Sequence, residues 1–85
     1  MAATPQMLQV KIFSPYQLFY EGSAVSVSAK NKTGPFDVLF NHGNFFSLLL
    51  PGRIEVNTGF EKVPVEVDSG LIRVNDNQVV VFANV

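Results

Sequence analysis

The sequence predicts an all-β fold, an antiparallel β-sandwich or flattened barrel of about eight to ten short strands. Three observations predict it. Apolar and polar residues alternate with period two in run after run, as on strands with one face on a core. The runs are rich in Val, Ile and Phe, which suit a pleated, half-buried surface. Turn residues separate them at close spacing, and no segment of ten or more residues has helical periodicity.

The elements follow in order. Leu8-Gln9-Val10-Lys11-Ile12 alternates cleanly and ends at Ser14-Pro15. Leu18-Phe19-Tyr20 comes next, and Glu21-Gly22 is read as the turn before Val25-Ser26-Val27-Ser28-Ala29. Gly34-Pro35 reads as a bend. The stretch Phe45 to Leu50 is ambiguous by period and ends at Pro51-Gly52. Ile54-Glu55-Val56-Asn57 and Val63-Pro64-Val65-Glu66-Val67 flank Asn57-Thr58-Gly59. Pro64 lacks a backbone donor, so its strand belongs at an edge or turns that position outward. Ile72-Arg73-Val74 and Gln78-Val79-Val80-Val81-Phe82-Ala83 flank Asn75-Asp76-Asn77, and Asn and Asp tolerate the positive φ of a tight hairpin. The last run is apolar on both faces, which suits a central strand or one covered by something else.

The chain has 85 residues, with 47% hydrophobic and 15% charged, against about 25% charged in an average soluble domain. That is enough for one domain and too apolar for disorder. The expected layout is a tail over residues 1–7 and one sandwich domain over 8–85. There is no Cys, so neither a disulfide scaffold nor a thiolate metal site is available. No apolar run approaches the roughly 20 residues of a spanning helix. The surplus of apolar residues suggests that part of the surface is covered by partners. Met1-Ala2-Ala3-Thr4-Pro5 has none of the basic and apolar regions of a signal peptide, so the chain is expected to stay where it is made. Asn31-Lys32-Thr33 then matches the glycosylation pattern by chance.

The six basic residues are scattered and offset by seven acids, so no nucleic-acid face is expected. His42 is the only histidine, no serine lies in a nucleophile elbow, and the glycines stand apart. One imidazole plus carboxylates is a thin metal-ligand set. No catalytic residue, cofactor or metal is expected, and the chain is read as a non-enzyme. Thr33 to Leu50 is the most unusual segment. It holds Phe36, Phe40, Phe45 and Phe46, four of the eight phenylalanines. They either cap one end of the core or form a contact patch, since aromatics are enriched in interface cores.

Taken in order, these pieces resemble the N-terminal β-sandwich domain of the epsilon subunit of F-type ATP synthases (delta in mitochondria). Phe19-Tyr20-Glu21-Gly22 with Ala24-Val25-Ser26-Val27 resembles the family's opening strand, F-x-G and second strand. Gly34-Pro35-Phe36-Asp37-Val38-Leu39-Phe40-Asn41-His42 is similar to its central loop, G-x-F/L-G-I-L-x-G-H. Leu50-Pro51-Gly52-Arg53-Ile54-Glu55-Val56 resembles L-x-P-G-x-v-x-I. Ser69-Gly70-Leu71-Ile72-Arg73-Val74 and Asn77-Gln78-Val79-Val80-Val81-Phe82-Ala83 resemble its ending. Departures fall in the loop: Asp37 and Asn41 stand for glycines, Pro35 for an acid, and Phe40 and Asn44 for proline-like positions.

The resemblance implies a non-catalytic rotor subunit at the foot of the central stalk of a proton- or sodium-translocating synthase. It would bridge the gamma subunit and the polar loops of the membrane c-ring, coupling ion flow to ATP synthesis. It implies c-ring contact at Gly34, Pro35, Phe36 and Asp37, and gamma contact near Ser14, His42 and Ser47. On this reading Phe36→Asp weakens assembly and leaves the domain folded. The place implied is peripheral, on the cytoplasmic face of the energy-transducing membrane or the equivalent organelle compartment, with no direct membrane insertion. The sequence stops at Val85, before the helical hairpin that the family usually adds; either the protein naturally lacks that hairpin or the sequence is a truncated piece, so the fold expected over these residues has no hairpin and no inhibitory or ATP-binding role is carried over. Self-association of the isolated chain is a further expectation. The alternatives are a stand-alone β-sandwich interaction module and a small-barrel RNA binder, the latter disfavoured by the missing basic face.

Overall fold

In a computed structural model, residues 6–84 are described, and the start of the expected tail, through residue 5, lies outside them. Nine strands run in chain order: β1 (Leu8–Phe13), β2 (Leu18–Ala24), β3 (Ser26–Asn31), β4 (Gly34–Leu39), β5 (Phe45–Leu49), β6 (Gly52–Asn57), β7 (Lys62–Val67), β8 (Ser69–Asn75) and β9 (Gln78–Asn84). They form a five-stranded sheet, β2-β1-β9-β8-β5, and a four-stranded sheet, β4-β3-β6-β7. The inner faces of the two sheets share one core. It includes Leu8, Val10, Ile12, Val27, Val38, Ile54, Val56, Ile72, Val79 and Val81, all essentially buried. The alternation read from the sequence is therefore the alternation of core and outer faces.

Among the described residues all neighbouring strands are antiparallel except β1 and β9, which run parallel with Gln9 opposite Gln78 and Phe13 opposite Phe82. The larger sheet is thus mixed. Joining the chain's first and last strands in its middle requires no hairpin, so local turn chemistry carries no sign of it. This placement makes β9 central, as its two apolar faces suggested. Pro64 sits on β7, an edge strand, opposite Glu55.

Two turn readings are corrected. Glu21-Gly22 lies inside β2, opposite Lys11 and Val10, and the chain changes sheet only at Val25. Here the Tyr20 ring lies over Gly22, and its hydroxyl donates to the Ser23 carbonyl at 2.7 Å. Gly34-Pro35 is the beginning of β4, opposite Asn31 and Lys30. The reversal falls on Lys32-Thr33, where Asn31 Oδ1 accepts from the Thr33 amide and hydroxyl at 3.0 and 2.7 Å. The ambiguous Phe45 stretch is a strand. Asp76 and Asn77 both have positive φ, 51° and 60°, and close the β8–β9 hairpin as their residue types predicted.

Candidate functional site: an apolar sheet face

The outer faces of the two sheets differ in chemistry. On the four-stranded sheet the outward positions are Ser, Lys, Asp, Glu, Arg, Asn and Pro, with one leucine. Arg53 Nε donates to Glu66 Oε1 at 2.9 Å, Lys62 Nζ lies 3.8 Å from Glu55, and Ser28 Oγ donates to Asp37 at 2.5 Å. The Glu66 hydrogen bond and charge hold the exposed Arg53 guanidinium above its ordinary pKa. This is a solvated face.

The five-stranded sheet presents something else. Register places Leu48 opposite Leu71, Leu71 opposite Phe82, Phe82 opposite Phe13, and Phe13 opposite Leu18. One apolar row therefore crosses the whole sheet. The next row is Phe46, Arg73, Val80, Lys11 and Glu21. Phe46 is 64% exposed and Leu48 68%, while Phe82 and Val80 are each 40% exposed. The Phe13 and Phe82 rings meet edge to face at 5.6 Å, and Lys11 Nζ lies 5.3 Å from the Phe13 ring centre. Polar rows border the patch. Asn75, Gln78, Gln9 and Ser23 lie on one side, with Gln9 Nε2 donating to Ser23 Oγ at 3.0 Å. Ser69 and Asn84 lie on the other, joined at 3.1 Å. A contiguous apolar patch with a polar rim is the signature of a covered surface. Removing a half-exposed Leu or Phe from water contributes roughly 1 kcal/mol each.

The sequence-predicted site residues fall in several places. Gly34, Pro35, Phe36 and Asp37 lie on β4, an edge strand rather than a loop. Pro35 and Asp37 face out. Phe36 faces in, half-buried against the core, with its ring 5.3 Å from that of Phe45. Phe36→Asp consequently perturbs the core as well as any contact, and Pro35 and Asp37 are the cleaner probes. The four phenylalanines divide three ways: Phe36 and Phe45 pack on the core, Phe46 stands in the outer patch, and Phe40 is half-buried beside Met7, Val25 and Phe60.

Ser14, His42 and Ser47 are not brought together. Ser14 is buried at the end of β1, and its hydroxyl accepts from the Tyr16 and Gln17 amides at 3.2 and 3.1 Å. Since β1, β9 and the β5 direction are aligned, His42, which precedes β5, lies toward the opposite end of the sandwich. Its exposed ring rests edge-on against Phe45 at 5.4 Å. Ser47 faces inward, and its hydroxyl accepts from Asn31 Nδ2 at 3.1 Å. Strand alternation could have revealed the row, because the Phe45 to Leu50 and Val79 to Phe82 runs are apolar on both faces. Register was the missing part.

Among the described residues no group of three or more His, Cys, Asp or Glu side chains converges as metal ligands would. No helix is long and apolar enough to cross a membrane, which says nothing of strands. An apolar cleft of about 1010 Å³ opens at the His42 end, between Met7, Val25, Phe40 and Phe60.

Comparison with known proteins agrees with this architecture. The family model described as the ATP synthase Delta/Epsilon chain, beta-sandwich domain, matches residues 7–85. The ATP synthase epsilon chain of Aquifex aeolicus is 34% identical over 77 residues, covering 91% of this chain and 58% of the relative. That of Clostridium novyi is 30% identical over 78 residues, covering 89% and 59%. This chain thus spans about three fifths of the length of these relatives. In fold it is similar to a chain of the Euglena gracilis mitochondrial ATP synthase OSCP/F1/c-ring structure, with a TM-score of 0.84 at 20% identity over 96% of this chain and 53% of that one. It is also similar to a chain of the Tetrahymena thermophila mitochondrial ATP synthase central stalk/c-ring structure, with a TM-score of 0.79 at 16% identity over 92% and 63%.

Proposed function

The chain belongs to the ATP synthase delta/epsilon family through its beta-sandwich domain, and from that premise we propose that it is a non-catalytic central-stalk subunit of an F-type ATP synthase. In this reading it sits between the gamma subunit and the c-ring and couples ion flow to ATP synthesis. Its place is the peripheral catalytic sector, at the cytoplasmic face of the energy-transducing membrane or its organelle equivalent.

The observation that carries the reading is the apolar row from Leu48 to Leu18, bordered by polar residues, on a domain whose other sheet face is polar. A rotor part needs a rigid, shape-fixed surface for a permanent partner, and a sheet face with alternate residues locked in a shared core supplies one. We assign this face to gamma. Ser14 and Ser47 then act indirectly: Ser14 fixes the turn after Phe13, and Ser47 anchors β5 to Asn31. His42 would meet gamma only if that subunit extends over the end of the sandwich. The c-ring contact is assigned to the β3–β4 hairpin, where Pro35 and Asp37 face outward on an edge.

Affinity purification of a tagged chain from native membranes is expected to recover gamma and the c-ring in one complex. Substituting Asp37→Lys is expected to weaken recovery of the c-ring while gamma stays bound. Recovery of neither partner, together with a discrete complex of other proteins, would favour the stand-alone interaction module.

A further inference from the structure

The five-stranded face is apolar but carries three charges, and they differ in their surroundings. Lys11, Glu21 and Arg73 all stand exposed on it. Register sets Glu21 opposite Lys11, and the Lys11 ammonium lies 5.3 Å from the centre of the Phe13 ring. Arg73 has neither kind of neighbour. It stands on β8 with Phe46 opposite on β5 and Val80 opposite on β9. Leu71 and Asn75 flank it on the same face of its own strand. Of the acids carried on strands, Glu21 alone is on this face, and β1 and β9 separate its strand from β8. Among the described residues the ion pairs are Arg53–Glu66 and Lys62–Glu55, so Asp76, in the hairpin beyond Asn75, makes none with Arg73.

Arg73 also borders a hollow. A cleft of about 430 Å³ opens beside it, lined by Asn44, Phe46 and Asn75 among others. The guanidinium and the two side-chain amides carry N–H donors, and Phe46 supplies an apolar wall. A cation and two amides with no acid among them suit a carboxylate. In water an exposed guanidinium is hydrated and needs no partner. Beneath a covering protein it loses that water, and a buried charge left unpaired costs more than the apolar contacts around it contribute. The chain brings no acid to Arg73, so the covering surface has to.

We propose that the gamma subunit sets an Asp or Glu side chain against Arg73, seated in the cleft beside Phe46. The inference rests on the assignment of this face to gamma and names the chemistry of that contact. The guanidinium fork takes a carboxylate through two parallel N–H···O bonds, which fix direction as well as distance. The apolar row from Leu48 to Leu18 attracts without direction. Arg73 lies off-centre, on the strand next to the β5 edge, so its ion pair selects one orientation of gamma on the row.

Calorimetric titration of the chain and its variants with the gamma subunit of the same organism tests this. Arg73→Met makes the face more apolar. It is nevertheless expected to raise the dissociation constant at least about tenfold, because the carboxylate of gamma is left covered without a partner. Arg73→Lys keeps the charge but not the fork, and is expected to fall between the parent chain and Arg73→Met. Arg53→Met, the same exchange on the other sheet, is expected to leave the constant unchanged. Arg73→Glu is expected to abolish binding. When the Asp and Glu residues of gamma are changed to Arg one at a time, one variant is expected to restore binding to Arg73→Glu. Arg73 is exposed, so its variants are expected to melt like the parent chain. Binding by Arg73→Met as tight as that of the parent, or tighter, would overturn the proposal and leave the gamma assignment standing. So would a scan in which no gamma variant restores binding. A parent chain that does not bind gamma would overturn the assignment and the inference together.

Discussion

Asn41 and Asn77 tie two turns together. The Asn41 amide donates to Asn77 Oδ1 at 2.5 Å, and Asn77 Nδ2 donates back to Asn41 Oδ1 at 3.2 Å. Both residues have positive φ, 62° and 60°, a region that Asn enters at low cost. Asn77→Ala is expected to cost about 2–3 kcal/mol, roughly 1–2 from the backbone and about 1 from the lost hydrogen bonds. Asn77→Gly keeps the turn and is expected to cost only the second part. Urea midpoints of the two variants separate these contributions. Gly70 tests a different constraint. A Cβ there would stand 2.7 Å from the Phe82 carbonyl oxygen, a backbone atom that moves only with its strand. Gly70→Ala is expected to destabilise by roughly 1–3 kcal/mol, read from the same denaturation curves.

At the scale of elements, neighbouring residues on one strand give opposite expectations. Ile72 on β8 is fully buried, and Ile72→Ala is expected to cost about 2–5 kcal/mol of stability. Leu71 faces outward, and Leu71→Glu is expected to change stability by about 0.5–1 kcal/mol while removing an apolar contact from the centre of the patch. Thermal melts of the pair check whether face, rather than position in the chain, sets the cost. Much of this was legible in the sequence. Alternation marked Ile72 as inward and Pro64 as an edge residue, and Asn75-Asp76-Asn77 announced its hairpin. Tertiary context decided the rest. Glu21-Gly22 looked like a turn because glycine is permissive, yet Lys11 opposite Glu21 and the Tyr20 ring over Gly22 hold it in β2. The apolar row was hidden because its members come from five strands, and the parallel β1–β9 pairing that aligns Phe13 with Phe82 leaves no local mark. For Ser14 and Ser47 the family resemblance implied contact; in the structure the buried Ser14 hydroxyl caps its own turn and the half-buried Ser47 hydroxyl accepts from Asn31.

For the whole molecule, the two sheet faces assign different tasks to one small sandwich. The four-stranded sheet presents ion pairs and hydroxyls to solvent, and the five-stranded sheet presents a bordered apolar surface. The charges are shared unevenly: Lys11, Glu21 and Arg73 stand on the five-stranded face, and Lys30, Asp37, Arg53, Glu55, Lys62 and Glu66 on the other. On the proposed reading this asymmetry serves to hold a partner on one side, and the account stands on the identity of that partner. Calorimetric titration of the chain with the ATP synthase gamma subunit of the same organism tests this most directly. The account predicts a one-to-one complex whose dissociation constant rises at least about tenfold in Leu71→Glu, equivalent to about 1.4 kcal/mol, and is unchanged in Glu66→Ala on the other sheet. Absence of binding, or binding that ignores Leu71→Glu and responds to Glu66→Ala, would contradict it.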